Sequence, residues 1–192
     1  MKQILWFRRD LRVLDSEILS KAKGEVLPIF IFDKNILQKL PTNDVRVSFI
    51  YKSVLELKEN LQKLGLDLAI FFDTPKEVFT RLKKDGFDEI LTSVDFDSYA
   101  KNRDEECEKI LPIRRFLDSY LIDPNDALKS DKTPYKVFTP FYNSLQTLHQ
   151  SNSIKEFEIS KDIKKIDFDY SCIPSLEDMG FLKQKLPDFL NK

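Results

Sequence analysis

Apolar and polar positions divide the chain into two kinds of segment. Short, almost uninterrupted apolar runs are typical of strands buried on both faces, and they occur at 3–7, 26–32, 68–72, 89–94 and 116–121. Between them, apolar residues recur every three or four positions, as they do along one face of a helix. Strands that alternate with helices predict an α/β fold: a five-stranded, parallel, Rossmann-like sheet with helices on both faces.

Helix-start and helix-stop residues support this order. The clearest predicted helix carries an apolar stripe of Val47, Ile50, Val54, Leu57, Leu61 and Leu64, and Gly65 ends it. Asp15 or Ser16 is placed to cap a helix that runs to about Ala22. Two further helices are predicted, one opened by Thr74 and Pro75 and one over 99–111 that is broken at Pro112.

Residues 133–142 (TPYKVFTPFY) form an aromatic run bounded by prolines. Pro134 and Pro140 each lack a backbone donor, so we predict an irregular segment rather than a strand or a helix. Such a segment offsets its ordering cost only if something packs on its aromatic side chains. Two interpretations remain open, a buried connector within this domain and a docking surface for another domain.

The character of the chain changes after Leu145. Residues 150–170 are polar and lysine-rich with isolated apolar positions, as in a linker that wraps a surface. Further on, Ser175 and Asp178 have the spacing of a capping box. We therefore predict an α/β domain over 1–149 and a linker segment over 150–192.

The composition limits the classes of function that the chain can have. Of 192 residues 42% are apolar, which is enough for a core, and 31 basic against 32 acidic residues give a net charge of −1. No global basic field exists to hold nucleic acid. Cys107 and Cys172 are predicted to be reduced thiols, and the presence of only one histidine, His149, rules out a multi-histidine metal site. The apolar runs are too short to cross a membrane and no signal peptide precedes the first strand, so we expect a cytoplasmic protein.

No nucleophile–base pair stands out, so no catalytic residue is assigned. A G-x-G-x-x-G loop is also missing, which disfavours a standard dinucleotide site. The candidates are polar residues that follow strands: Arg8, Arg9, Asp10, Asp33, Arg46, Asp95, Asp97 and Tyr99. Each has an ordinary structural interpretation. Arg9 and Asp10 would form a local ion pair, Asp33 and Arg46 a helix cap and a solvated arginine, and Asp95 with Asp97 a solvated loop.

Two long motifs resemble one family. Residues 5–19 (LWFRRDLRVLDSEIL) resemble the W-F-R-R-D-L-R-L-x-D-N-x-A-L signature of photolyases and cryptochromes, and TPYKVFTPFY resembles their K-P-Y-K-V-F-T-P-F segment. The stretch IPSLEDMGF is similar to the P-S-L-x-x-L-G-F that leads into their flavin-binding helical domain. The chain departs from the pattern at Ser16 (usually Asn), at Lys132 (usually Gly) and at Tyr142 (commonly Trp), which leaves the sub-family open.

The resemblance implies an amino-terminal antenna domain. DKNILQ at 33–38 and DVRVSFI at 44–50 resemble photolyases with an 8-hydroxy-5-deazaflavin antenna, which places Phe32, Asp33 and Arg46 in the pigment pocket. VDFDSYAKNRD matches a family segment through Asp95, Asp97, Tyr99, Arg103 and Asp104, and Arg8 and Arg9 would lie beside the interdomain cleft. The Asn-Glu pair of folate-binding relatives is replaced by Tyr99 and Ala100. The resemblance therefore implies 8-hydroxy-5-deazaflavin or FMN as the pigment rather than methenyltetrahydrofolate.

The family's photochemistry needs FAD, electron-transferring tryptophans and a lesion pocket, all in a second, helical domain. This chain has one tryptophan, Trp6, so by itself it is expected to be inactive. We expect a light-harvesting part of a deoxyribodipyrimidine photolyase that docks on the FAD domain through 133–142 and reaches damaged DNA only within the full-length protein. A cryptochrome blue-light receptor and a stand-alone flavin- or nucleotide-binding module remain alternatives.

Overall fold

A parallel sheet forms the centre of the molecule in the computed structural model, which describes residues 1–151 and 156–186. Its strands are β1 (Lys2–Phe7), β2 (Gly24–Asp33), β3 (Ala69–Asp73), β4 (Glu89–Ser93), β5 (Ile113–Phe116) and β6 (Ile163–Lys165). Five of them lie in the order β3-β2-β1-β4-β5, and β6 pairs with β2. The predicted α/β fold with a five-stranded parallel sheet is confirmed.

Four of the described helices occupy the positions that the sequence predicts, and two, Lys34–Leu37 and Phe138–Ser151, are additions. They are α1 (Glu17–Lys21), α2 (Lys34–Leu37), α3 (Val45–Lys63), α4 (Pro75–Lys84), α5 (Ser98–Glu108) and α6 (Phe138–Ser151). Ser16 and Thr74 accept backbone N–H groups at the starts of α1 and α4, as their spacing predicts. The one-turn α2 has too few residues to show a helical period, and the sequence did not reveal it.

Each face of the sheet carries its own apolar layer. Leu5 and Phe7 of β1 pack in the layer that contains the buried side of α3, whereas Ile4 and Trp6 pack in the layer that contains α4. Successive side chains of a strand point to opposite faces. Because both faces of β1 are covered, every position from Gln3 to Phe7 is buried, and the strand appears in the sequence as one apolar run.

The fifth strand was predicted in the wrong place. The apolar run at 116–121 is not a strand, and β5 lies just before it at Ile113–Phe116. Within the described residues β5 pairs with β4 alone, and it buries Ile113 while Arg114 and Arg115 remain exposed. An edge strand with one buried apolar position gives no continuous apolar run in the sequence. The predicted run, by contrast, contains Leu121, which is 67% exposed.

Half of the aromatic run at 133–142 is helical, contrary to the prediction of an irregular segment. α6 begins at Phe138 and includes Pro140 in its first turn, where a missing N–H breaks no intrahelical bond. Val137, Phe138 and Tyr142 are 63%, 73% and 46% exposed. The interpretation of this run as a buried connector is therefore wrong for these three side chains.

A sixth strand, unanticipated by the sequence, extends the edge of β2. β6 pairs with 24–26 of β2, and β3 pairs with 29–33 on the same edge. The carbonyl of Val26 accepts from the amide of Ile166, and Pro28, two residues later, faces the same edge. Pro28 thus falls in the gap between the two partner strands, where its missing N–H costs little.

The segment after β6 contributes to the main core. Leu176, Met179 and Phe181 are each about 5–6% exposed and join the layer that contains α3. The predicted pair of Ser175 and Asp178 is present, since each side chain accepts the other residue's amide, at 3.1 and 2.9 Å. The division of the chain at residue 149 remains a prediction, but 156–186 packs against the sheet domain along much of its length.

We expect Phe181→Ala to lower the free energy of unfolding by about 3–5 kcal/mol, because it removes a buried aromatic ring and leaves a cavity. Leu182→Ala is the matched control, since that neighbouring side chain is 62% exposed and its loss should cost less than about 0.5 kcal/mol. Urea unfolding followed by circular dichroism measures both. Equal, small effects would contradict the assignment of this segment to the core.

Candidate functional site

A cavity of about 320 Å³ opens at the carboxyl edge of the sheet. The chain crosses from one side of β1 to the other between β3 and β4, so β1 and β4 flank the switch point at which ligands of such sheets bind. The further candidates Asp10 and Asp104 do not line this cavity, whereas the nine residues proposed as cofactor-binding do: Arg8, Arg9, Phe32, Asp33, Arg46, Asp95, Asp97, Tyr99 and Arg103. Four separate segments of the chain contribute them.

The apolar walls are the part of the site that the sequence did not reveal. Ile36 and Leu40 come from α2 and the turn after it, and Val47 and Ile50 come from the first turns of α3. Val47 and Ile50 belong to the apolar stripe of α3, which predicted core positions. Ile36 and Ile50 are nevertheless 42% and 38% exposed, because they border the cavity rather than the core. Further lining residues are Trp6, Phe7, Phe30, Ile31, Leu37 and Pro75.

A bridge between Asp33 and Tyr99 joins β2 to α5. Asp33 ends β2 and accepts the amide of Asn35 at 3.0 Å, so it caps α2. Its second oxygen accepts the Tyr99 hydroxyl at 2.5 Å. Burial, followed by the hydrogen bond to Asp33 and by its negative charge, raises the pKa of Tyr99 to about 12. At neutral pH the phenol is therefore a fixed donor to the carboxylate.

Arg9 binds across the switch point rather than to its neighbour. Its guanidinium donates to Asp95 at 2.9 Å and to Asp97 at 2.8 Å. The hydrogen bond to Asp95 is the main cause that raises the pKa of Arg9. Asp97 also accepts the amide of Ala100 and caps α5, and this backbone bond is the main cause that lowers its pKa. The two carboxylates are thus paired and not merely solvated.

The predicted ion pair of Arg9 with Asp10 is absent. Asp10 turns inward, is 7% exposed and accepts the Ser93 hydroxyl at 3.0 Å. Burial raises its pKa, and its second oxygen has no hydrogen-bond partner within the described parts of the chain. Arg9 and Asp10 are adjacent in the sequence, but just beyond β1 the first side chain is exposed and the second is buried. The two therefore do not pair.

Arg8 and Arg103 share one buried carboxylate. Arg8 Nη1 donates to both oxygens of Asp104, at 2.8 and 3.0 Å, and also bonds through Nη2 to the carbonyl of Ser93. Arg103 donates to Asp104 Oδ1 through Nε at 3.1 Å and through Nη2 at 2.9 Å. Both guanidinium carbons lie 4.7 Å from the centre of the Trp6 ring. Burial is the main cause that lowers the pKa of Arg8.

Arg46 lies at the mouth of the cavity. Its side chain is 70% exposed and pairs with Asp44, with Nη2 2.5 Å from Asp44 Oδ2. Asp44 also accepts the amide of Arg46 and caps α3. An arginine in the first turn opposes the helix dipole, and the adjacent carboxylate offsets this conflict. The predicted cap and the exposed arginine are both present, although the cap of α3 is Asp44, while Asp33 caps α2.

The part of the chain that the structure describes does not support a metal site or a nucleophilic role for Cys107. There, no group of His, Cys, Asp and Glu side chains is arranged to hold a metal ion. Burial raises the pKa of the Cys107 thiol to about 12, the opposite of what a nucleophilic cysteine requires. No helix among residues 1–151 and 156–186 is long and apolar enough to span a bilayer.

Comparison with known proteins identifies relatives along most of the chain. A family model described as DNA photolyase matches residues 3–159. A deoxyribodipyrimidine photo-lyase of Alkalihalophilus pseudofirmus is 32% identical over 154 residues, which cover 73% of this chain and 32% of that protein. The blue-light photoreceptor PHR2 of Arabidopsis thaliana is 31% identical over 193 residues, which cover 92% of this chain and 43% of that protein. The chain thus spans less than half of these relatives.

Two solved structures share the fold. An archaeal photolyase from Sulfolobus tokodaii, with two FAD molecules that imply a novel light-harvesting cofactor, has a TM-score of 0.66 and 28% identity. The similarity covers 85% of this chain and 39% of that one. A class III photolyase from Agrobacterium tumefaciens has a TM-score of 0.69 over 87% of this chain and 37% of that one. At 23% identity the latter supports the fold alone.

We expect Tyr99→Phe to lower the free energy of unfolding by about 1–3 kcal/mol at pH 8, because Asp33 is left buried without its phenol donor. Tyr99 holds its proton more tightly when folded, so its contribution is complete below pH 10 and is lost as the pH rises to about 12. The difference between the two proteins should therefore shrink over that range.

Urea unfolding at several pH values between 8 and 11.5 measures this difference. Tyr142→Phe is the control, since its hydroxyl bonds only at the exposed surface with Gln146 and its loss should change little at any pH. A difference between wild type and Tyr99→Phe that stays constant with pH would contradict the assigned bridge.

Proposed function

The chain belongs to the DNA photolyase family, and from this membership we propose that it is the amino-terminal light-harvesting domain of a deoxyribodipyrimidine photolyase. In the whole protein it would bind an antenna pigment and dock on a domain that binds FAD. The observation that carries the proposal is the convergence of all nine candidate residues on one cavity at the switch point of the sheet.

The cavity fits a flat heterocycle. Its volume falls in the range of small-molecule sites, and apolar walls with a few polar groups are typical of such sites. Phe32, Ile36 and Ile50 would pack on the faces of the ring, and Asp33 and Arg46 would bind its polar edges. Arg8 and Arg103 also line the cavity, and their guanidinium groups would supply donors to acceptor atoms of the ring.

The bound pigment would supply absorption of near-ultraviolet or blue light and transfer of excitation to FAD. The residues of this chain would hold the ring in one orientation and keep water from it. They would carry out none of the photochemistry, and the repair of pyrimidine dimers would belong to the full-length protein alone. A repair enzyme of this kind would bind DNA and extrude the damaged bases. The net charge of −1 does not favour DNA binding by this chain alone.

We propose 8-hydroxy-5-deazaflavin or FMN as the pigment, rather than methenyltetrahydrofolate. At the positions of the folate-binding Asn-Glu pair, the Tyr99 hydroxyl already donates to Asp33, and Ala100 is buried and has no polar side chain. The Sulfolobus tokodaii photolyase holds two FAD molecules, with the implication of a novel light-harvesting cofactor, so FAD is a further candidate pigment.

The aromatic surface at 133–142 is proposed to dock on the FAD-binding domain. Val137 and Phe138 project from the molecule, and Tyr142 borders an apolar groove with Tyr120 and Leu121. Contiguous exposed apolar groups of this kind mark interaction sites. The relatives are more than twice as long as the matched region, which leaves room in them for the helical domain that this surface would contact.

A cryptochrome, a blue-light receptor without repair activity, is the second candidate. Its support is the similarity to the blue-light photoreceptor PHR2 over 92% of the chain. Both classes share this domain, so the cavity does not distinguish them. Light-dependent repair of a dimer-containing oligonucleotide by the full-length protein would decide in favour of the photolyase. The stand-alone flavin- or nucleotide-binding module would need only the cavity and no partner domain.

Absorption titration of the purified chain tests the pigment site. We expect a shifted, saturable band with 8-hydroxy-5-deazaflavin, FMN or FAD, because the walls would exclude water from the ring, and no such band with methenyltetrahydrofolate. Binding of the folate alone would overturn the proposed pigment class. Binding of none of the four would contradict the light-harvesting role of this chain.

Arg46→Ala should weaken pigment binding about tenfold, the loss expected from roughly one charge-assisted hydrogen bond. The melting temperature should change little, because the arginine is exposed and its partner Asp44 retains the helix-capping bond. Arg81→Ala is the control, since Arg81 is also exposed and paired with an aspartate but does not line the cavity. A clear loss of stability with unchanged binding would assign Arg46 to the fold instead.

A further inference from the structure

Asp104 is the common acceptor for two arginines that line the cavity. It lies on the side of α5 that faces the sheet, one turn after Ala100 and one turn before Cys107, and it is 3% exposed. Oδ1 accepts from Arg8 once and from Arg103 twice, and Oδ2 accepts from Arg8. The carboxylate itself does not line the cavity, so it contacts the site only through these arginines.

The network leaves this wall with positive charge and hydrogen-bond donors. Two guanidinium groups share one carboxylate, and their side chains are only 6% and 12% exposed. Arg8 Nε is buried without an acceptor in the described chain. A buried donor without a partner is uncommon in a native protein, and it shows that this wall is richer in donors than in acceptors.

Trp6 fixes the plane of this wall. Both guanidinium groups lie 4.7 Å from its ring centre, within cation–π range, and the ring is 2% exposed because it packs edge-on against Phe79. Arg103 also lies 5.8 Å from the ring of Tyr99, four residues earlier on α5. The two arginines are thus held between a rigid aromatic ring and a carboxylate whose two oxygens both accept hydrogen bonds.

The carboxylates that line the cavity are already occupied. Asp33 accepts from Tyr99 and from the amide of Asn35, and Asp95 and Asp97 bind Arg9. The guanidinium groups of Arg8 and Arg103 beside Trp6 are therefore the donors left for the acceptor edge of a ligand, because the lining carboxylates already accept from the protein.

We propose that Asp104 is a positioning residue, which holds Arg8 and Arg103 against Trp6 so that they bind the carbonyl-rich edge of a flat heterocycle. The proposal rests on the proposed function of the cavity as a pigment site and adds the orientation of the ring. Its geometric part, the hold of Asp104 on the two arginines, can be tested without any ligand.

The emission of Trp6 reports that hold directly, because it is the only tryptophan in the chain. Arg103→Gln should change the intensity and the maximum of this emission, since one of two cations leaves the ring, and Asp104→Asn should change them too, since the carboxylate no longer holds the cations there. Arg115→Gln is the matched control. Arg115 also approaches Asp104, at 3.8 Å, but it pairs with Glu108 and neither contacts Trp6 nor lines the cavity. Unchanged emission in Arg103→Gln or in Asp104→Asn, or equal changes in Arg103→Gln and Arg115→Gln, would overturn the arrangement.

Titration with riboflavin and FMN tests the orientation, because the two share one ring system and differ in a phosphate. Arg103→Gln should weaken both about tenfold, the loss of one charged contact to the ring edge, and Arg115→Gln should change either less than twofold. Asp104→Asn should weaken both ligands similarly if it folds, and Arg103→Gln carries the test if it does not. A loss confined to FMN would place Arg103 at the phosphate and overturn the proposal, as would unchanged affinity for both.

Failure of the proposed function is distinguishable from failure of this inference. If the wild-type chain binds neither flavin nor the deazaflavin, the pigment site and the ring orientation both fall. The hold of Asp104 on the arginines would then stand or fall on the Trp6 emission alone. If wild type binds and the emission separates Arg103→Gln from Arg115→Gln while the affinities do not change, the pigment site stands and the orientation is wrong.

Discussion

Burial of β1 on both faces is the constraint on which the rest of the structure depends. Its side chains alternate between two apolar layers, and its backbone bonds to β2 on one edge and to β4 on the other. No position within such a strand can hold an exposed charge. The first charged residues after the strand, Arg8 and Arg9, therefore emerge at the carboxyl edge, beside the ends of β2 and β4. The cavity lies there because the sheet reverses its order at this point.

Buried charge at this edge serves position more than stability. An ion pair removed from water often contributes little net stability, because desolvation offsets its attraction, whereas loss of one partner is costly. The bonds of Arg8 and Arg103 to Asp104 therefore add little net stability. Their effect is to limit the two side chains to one geometry. Arg9 with Asp95 and Asp97, and Tyr99 with Asp33, do the same for the rim. Together these bonds join β1, β2 and α5 around the space that a ligand would fill.

The segment over 156–186 supports the elements that form this site. β6 extends the edge of β2, and Phe181 enters the same apolar layer as Phe32 and Val47, two residues of the cavity wall. The next residue, Leu182, donates its backbone N–H to the carbonyl of Thr42 just before α3. The segment over 156–186 thus packs beside the wall of the cavity.

The sequence by itself determined those features that depend on local order along the chain. Apolar runs located β1 to β4, an apolar stripe located α3, and Ser16 and Thr74 marked helix starts, because each signal lies within one element. Resemblance to a family selected nine residues that surround one cavity. Their use as a pigment site remains a proposal, and the local signals explain their helix-capping bonds but not their contacts with distant residues.

Only the tertiary structure decided which residues meet. Arg8 bonds to Asp104 96 positions away, and Arg9 bonds to Asp95 rather than to adjacent Asp10, because the register of β1 with β4 brings these segments together. β5 and β6 are an edge strand and a three-residue strand, which need few apolar residues and so leave no run in the sequence. Ile36 and Ile50 appeared as ordinary apolar positions, and only packing showed that they border a cavity. Pairing between distant segments is set by the packing of the whole sheet, and a local pattern carries no record of it.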